Sequence, residues 1–93
     1  MIEIKVKALG IFNKNSSSEK IVKVRGEPDL EEVLKILAKK GLFNLYSASS
    51  GLEEVIQNTL ILINGVEVRN LKGIKTRIES GDSLILIPVT HGG

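Results

Sequence analysis

The segment PDLEEVLKILAKKG at 28–41 is the clearest helix in the chain, and it constrains the fold more than any other stretch. Leu30, Val33, Leu34, Leu37 and Ala38 recur at helical spacing and form one apolar stripe. Such a stripe has to be buried against another element. Asp29 stands where its side chain can accept from the free amides of the first turn, and Glu32 three residues on completes a capping-box-like pair. At the other end Lys39 and Lys40 suit the negative pole of the helix dipole, and Gly41 suits the left-handed closing position.

Most of the remaining chain carries strand signals, so the stripe has a sheet to cover. IEIKVKAL at 2–9 alternates strictly: Ile2, Ile4, Val6 and Ala8 face one way, Glu3, Lys5 and Lys7 the other. NKNSSSE at 13–19 is a polar turn and KIVKVR at 20–25 resumes strand character, which predicts an antiparallel hairpin with a longer loop. Within that loop Asn15-Ser16-Ser17 fits a glycosylation acceptor, but without a secretion signal it reads as a solvated turn. TLILI at 59–63 predicts a buried strand, Asn64-Gly65 is the strongest short hairpin signal, and VEVR at 66–69 is its return. NLKGIKTRIESGD at 70–82 is turn-rich, with Leu71, Ile74 and Ile78 expected to tuck inward. SLILIPV at 83–89 is the final strand, and its uninterrupted apolar run places it at the centre of the sheet. The intervening 42–58 segment fits an added helical turn, then a serine-rich loop. Its end, LEEVIQ, reads as either a short helix or the approach to a strand. The order implies an α+β layer in which four or five strands grip one main helix.

Ninety-three residues make one small domain, burying ~60–65% of the surface that the unfolded chain exposes. The longest apolar runs, LILI at 60–63 and at 84–87, fall far short of a membrane span. The alternating start does not resemble the apolar core of a signal peptide, so the cytoplasm is the expected location. With no cysteine, disulfides, thiolate metal sites and cysteine nucleophiles are excluded. The 13 basic and 11 acidic residues are well mixed, and only Phe12, Phe43 and Tyr46 are aromatic. A surface of that kind predicts no direct binding of nucleic acid, which calls for a clustered basic face and stacking rings.

Catalytic constellations are missing. Ser47, Ser49 and Ser50 precede Gly51 without forming a nucleophile elbow, and no phosphate-binding loop is present. Glu31-Glu32 and Glu53-Glu54 are adjacent pairs, which point about 100° apart on a helix and do not converge on one ion. His91, the single histidine, has no orienting partner and makes no metal site by itself. These readings predict a protein that is not an enzyme and holds no metal.

What remains is the ending IPVTHGG. Glycine loses more conformational freedom on folding than any other residue, so Gly92 and Gly93 do not anchor a strand. At ordinary glycine usage a random chain ends on two glycines about once in 200. After a strand pinned in a sheet they make a slim thread with a free carboxylate, able to enter a narrow channel. A carboxylate is a poor electrophile, so acyl chemistry there needs a partner that activates it, for example as an acyl-adenylate.

GDSLILIPVTHGG, preceded by LILINGVEVRNLKG, resembles the ubiquitin-like sulfur carriers. The families concerned are the ubiquitin-related modifiers and the small subunit of molybdopterin synthase, with the thiamine-pathway carrier more distant. The likeness spans essentially the whole chain in element order. Its specific parts are Ile63-Asn64-Gly65, Gly81-Asp82 and Gly92-Gly93. THGG is closer to the modifiers, Pro88 to the molybdopterin type. The resemblance implies a β-grasp fold, with a mixed sheet on one helix over 1–89 and a tail at 90–93. It implies no permanently bound cofactor: an activating enzyme uses ATP to adenylate the carboxylate of Gly93, and a sulfur donor converts it to a thiocarboxylate. Sulfur then passes to a tRNA uridine through a tRNA thiolase, or to the molybdopterin precursor on the synthase large subunit. In the modifiers the activated end is also joined to lysines of target proteins. By this carry-over Gly93 reacts, Gly92 gives access, and His91 and Thr90 flank.

A partner surface follows from strand parity. Leu84 and Leu86 share one face of the last strand, and Ile85, Ile87 and Val89 share the other. If the helix covers the first set, the second is an apolar patch rimmed by Lys5 and Lys7, expected to dock the activating enzyme unless 42–58 folds over it. The competing reading is a plain β-grasp interaction domain that binds through its sheet face and whose glycines are a frayed end.

Overall fold

The computed structural model of the chain describes residues 1–9, 19–40 and 56–89. Among them are strands β1 (Ile2–Ala8), β2 (Glu19–Val24), β3 (Thr59–Ile63), β4 (Val66–Glu67) and β5 (Ser83–Pro88), with helix α1 (Leu30–Lys39) between β2 and β3. The strands form one sheet in the order β2-β1-β5-β3-β4. β1 and β5 run parallel, and every other neighbouring pair is antiparallel. The mixed sheet on one helix is therefore the expected layer, and β5 is central, as its apolar run predicts.

Registers align the inward side chains. Val6 lies beside Leu84, which lies beside Ile63; Ala8 lies beside Leu86, which lies beside Ile61. These residues are buried in one cluster with Leu30, Val33, Leu34 and Leu37 of α1. Burying each of the valine, leucine and isoleucine side chains stabilises the fold by roughly 1.5–3 kcal/mol. The helix begins where its cap dictates: Asp29 is extended (φ −95°, ψ 177°), and its Oδ1 accepts from the Glu32 amide at 2.9 Å. Four of the five stripe residues are fully buried and Ala38 is half-buried. Gly41 and the 42–55 stretch lie outside the described residues, while residues 56 and 57, at the end of LEEVIQ, are helical.

A short segment clamps the start of α1. The Leu30 amide donates to the Thr76 carbonyl (2.8 Å) and the Ile78 amide to the Pro28 carbonyl (3.0 Å). Lys75 pairs with Glu31 at 3.2 Å and Arg77 with Glu27 at 3.3 Å. No described helix is long and apolar enough to cross a membrane.

Two expectations are corrected. The return strand stops at Glu67, and Val68–Asn70 wind into a 3-10 turn. Val66 stays exposed at the sheet edge, whereas the turn brings Val68 back into the core at 5% exposure. Leu71, expected to tuck inward, is exposed, while Ile74 is half-buried and Ile78 buried. The Leu71 amide closes the first 3-10 turn onto the Val68 carbonyl (3.0 Å), and a second turn begins at Gly73. Leu71 is thus the corner between two turns, with Val68 taking the inward position of the first.

Candidate functional site

β5 organises the site because its two faces differ. Leu84 and Leu86 are sealed under the helix layer; Ile85 and Ile87 lie half-buried on the outer face. Register extends that face across the sheet. Glu19, Lys7, Ile85, Leu62 and Glu67 form one row through all five strands. In the next row Ile87 lies beside Leu60. Four aliphatic side chains therefore make a patch over β3 and β5, with Lys7 directly beside Ile85 and Lys5 beside Ser83. Ile85, Ile87, Lys5 and Lys7 thus share one face, as strand parity predicts. Val89 follows one step beyond the strand and is exposed.

Leu60 and Leu62 are the members that sequence reasoning missed. TLILI reads as a strand buried on both sides, yet only Thr59, Ile61 and Ile63 are fully buried. The available signal was leucine at both intervening positions, where a strand covered on one face usually carries polar residues.

The two ends of β5 are held differently. At its start, Asn64 (φ 51°) and Gly65 (φ 84°) both take the positive φ of a tight hairpin turn. The Asn64 side chain donates to Asp82 Oδ1 (2.9 Å) and accepts from the Ser83 amide (2.9 Å). Asp82 Oδ2 accepts from the Glu79 amide at 2.8 Å. Asp82 Oδ1, Asp82 Oδ2 and Asn64 Oδ1 each accept a hydrogen bond, which braces the entry to β5.

At its end, the Val89 amide donates to the Asn58 carbonyl (2.9 Å), which extends the pairing with β3 past the strand. Odd-numbered residues of β5 therefore bond to β3. Even-numbered ones bond to β1, where the Leu9 amide donates to the Leu86 carbonyl at 3.0 Å. The donor that Pro88 lacks belongs to the β1 side, so the chain is released there while β3 still holds it. Thr59, opposite Pro88, is 3% exposed, and among the described residues its hydroxyl has no hydrogen-bond partner. Thr90, His91, Gly92 and Gly93 lie outside the described residues.

Such an arrangement suits recognition. An apolar patch with two rim cations, next to a strand end held on one side, can seat a partner and deliver the following residues to it. Among the described residues no group of three or more His, Cys, Asp or Glu is placed to hold a metal ion.

No protein-family model matches the chain, and neither does any curated protein. Solved structures do. Small archaeal modifier protein 1 of Methanosarcina acetivorans, determined in solution, is 26% identical; the match covers 100% of this chain and 98% of that one at a TM-score of 0.71. The crystal structure of SAMP1 from Haloferax volcanii is 22% identical, over 98% of this chain and 99% of that one, also at 0.71. Urm1 of Trypanosoma brucei, a solution structure, is 19% identical, over 98% and 95% of the two chains at 0.63.

Proposed function

We propose that this chain, whose fold is the ubiquitin-like β-grasp of small archaeal modifier protein 1 and Urm1, is a sulfur carrier and protein modifier working through Gly93. In this reading it is not itself an enzyme and keeps no cofactor of its own. An activating enzyme seats the outer face of β3 and β5 and joins the Gly93 carboxylate to AMP, releasing pyrophosphate from ATP. A sulfur donor then displaces AMP and leaves a thiocarboxylate. Gly92 gives slim access to the activating pocket, and Thr90 and His91 span the distance from Val89. The carrier acts in the cytoplasm and passes its sulfur to a tRNA thiolase or a molybdopterin-synthase large subunit, or is joined to lysines of target proteins.

The observation that carries this reading is the pairing of an unsealed apolar patch with a strand end released on one side, immediately ahead of Gly92-Gly93. Mass spectrometry tests it after incubation with ATP, a cognate activating enzyme and a sulfur donor. One terminal oxygen is expected to be replaced by sulfur. Deleting Gly92 and Gly93 is expected to abolish the exchange with the fold intact. Exchange that survives the deletion refutes the mechanism, whereas no exchange in the full chain leaves the plain interaction domain. Copurification from cells then separates the acceptors, since a tRNA thiolase, a molybdopterin-synthase subunit and lysine conjugates are distinct products.

A further inference from the structure

We infer that β2 pairs with β2 of a second copy of this chain, antiparallel and with Ile21 on the two-fold axis, giving a continuous sheet across the dimer. β2 is the six-residue edge of the sheet; the opposite edge, β4, has two residues and then turns away. The hydrogen bonds of β1 fix which backbone groups of β2 face outward. On β1 the Lys5 and Leu9 amides and the Glu3 carbonyl bond toward the β5 side (3.0, 3.0 and 2.8 Å), so Ile4 and Val6 bond toward β2. Their register partners Val22 and Lys20 use their backbone groups inward. The amides and carbonyls of Glu19, Ile21 and Lys23 therefore face the edge, where no other described strand pairs with them. Ile21 among them is 64% exposed, an unusual position for a β-branched aliphatic on a free edge.

The side chains choose the partner. With Ile21 opposite its own copy, Glu19 falls opposite Lys23 of the second chain, and Lys23 opposite its Glu19. Within each chain Glu19 already lies beside Lys7 and Lys23 beside Glu3. The dimer thus builds two ladders of alternating sign, lysine, glutamate, lysine, glutamate, on either side of an isoleucine pair. Shifting the axis to Lys20 sets like charges opposite each other, and shifting it to Val22 sets Ile21 against Lys23. One register satisfies both the charges and the aliphatic pair. It also keeps the helices of both copies on one face and leaves the outer patch of β3 and β5 open, so it is independent of the carrier reading.

Cysteine cross-linking in the full chain tests it, because the sequence has no other thiol. Ile21→Cys places two thiols on a hydrogen-bonded pair with Cα atoms about 5.5 Å apart, within the disulfide range. Lys23→Cys places its two copies about 13 Å apart along the strand. Ile21→Cys is expected to cross-link several times faster than Lys23→Cys in a glutathione buffer, and unmodified protein to gain mass with concentration in sedimentation equilibrium. Ile21→Pro removes only an outward amide and is expected to abolish that mass gain. Equal cross-linking of the two cysteine variants, or a single monomeric species up to millimolar concentration, overturns the inference. A Pro variant that fails to fold leaves the cysteine comparison deciding.

Discussion

Asn64 and Asp82, eighteen residues apart in the chain, are joined by a 2.9 Å hydrogen bond that locks the β3–β4 turn to the turn preceding β5. The same asparagine takes a positive φ, so it serves both as turn former and as cross-brace. Asn64→Gly keeps the turn geometry and deletes the brace. In urea unfolding it is expected to cost about 0.5–1.5 kcal/mol, as is Asp82→Ala. Because the two groups share one interaction, the double variant should cost less than the sum of the single ones. Strict additivity would show that the brace carries no energy.

Thr59 offers the opposite kind of change. A buried hydroxyl with no partner among the described residues is a desolvated polar group without compensation. Thr59→Val removes it at nearly constant shape and is expected to stabilise the fold by about 1 kcal/mol, read as a higher thermal midpoint. A lower midpoint would mean that the hydroxyl is satisfied.

Adjacent positions on β5 should separate stability from recognition. Leu86→Ala opens a cavity in the sealed layer and is expected to cost about 2–5 kcal/mol. Ile87→Asp on the outer face should leave the circular dichroism spectrum unchanged and weaken binding of the activating enzyme about tenfold or more. Unchanged affinity would remove the outer patch from the docking surface.

At the start of α1 a cap and two ion pairs compete for importance. Asp29→Ala is expected to cost about 1 kcal/mol through loss of the bond to the Glu32 amide. Lys75→Ala and Arg77→Ala break exposed pairs and should each cost less than about 1 kcal/mol. Denaturant midpoints of the three variants give the ranking directly.

The parts of this fold that periodicity encodes were legible in advance. Strict alternation marked β1, helical spacing marked α1 with its Asp29 cap, and an unbroken apolar run marked β5 as central. Asn64-Gly65 announced the hairpin turn through a steric requirement that few other pairs meet. Legibility ended where tertiary competition decides. Val68 continues the alternation of Val66, yet burial drew it into a 3-10 turn and shortened β4 to two residues. Leu71 is as apolar as Ile78, but it falls on a corner between turns, and no local pattern marks a corner. Parity put Ile85, Ile87, Lys5 and Lys7 on one face of the sheet, where register also sets them. Leucine at both intervening positions of TLILI hinted at Leu60 and Leu62, but their place beside Ile87 and Ile85 came from register, which one strand's sequence does not contain.

The parallel contact between β1 and β5 has a kinetic consequence. Val6 meets Leu84 across most of the chain's length, and β5 is the last of the five strands to be synthesised. Until it arrives, β1–β2 and β3–β4 are two separate hairpins, and an isolated hairpin is at best marginally stable in water. A nascent chain that stops short of Ser83 therefore has no sheet for α1 to cover. Assembly waits for a long-range closure, which places this small domain among slow rather than fast folders of its size.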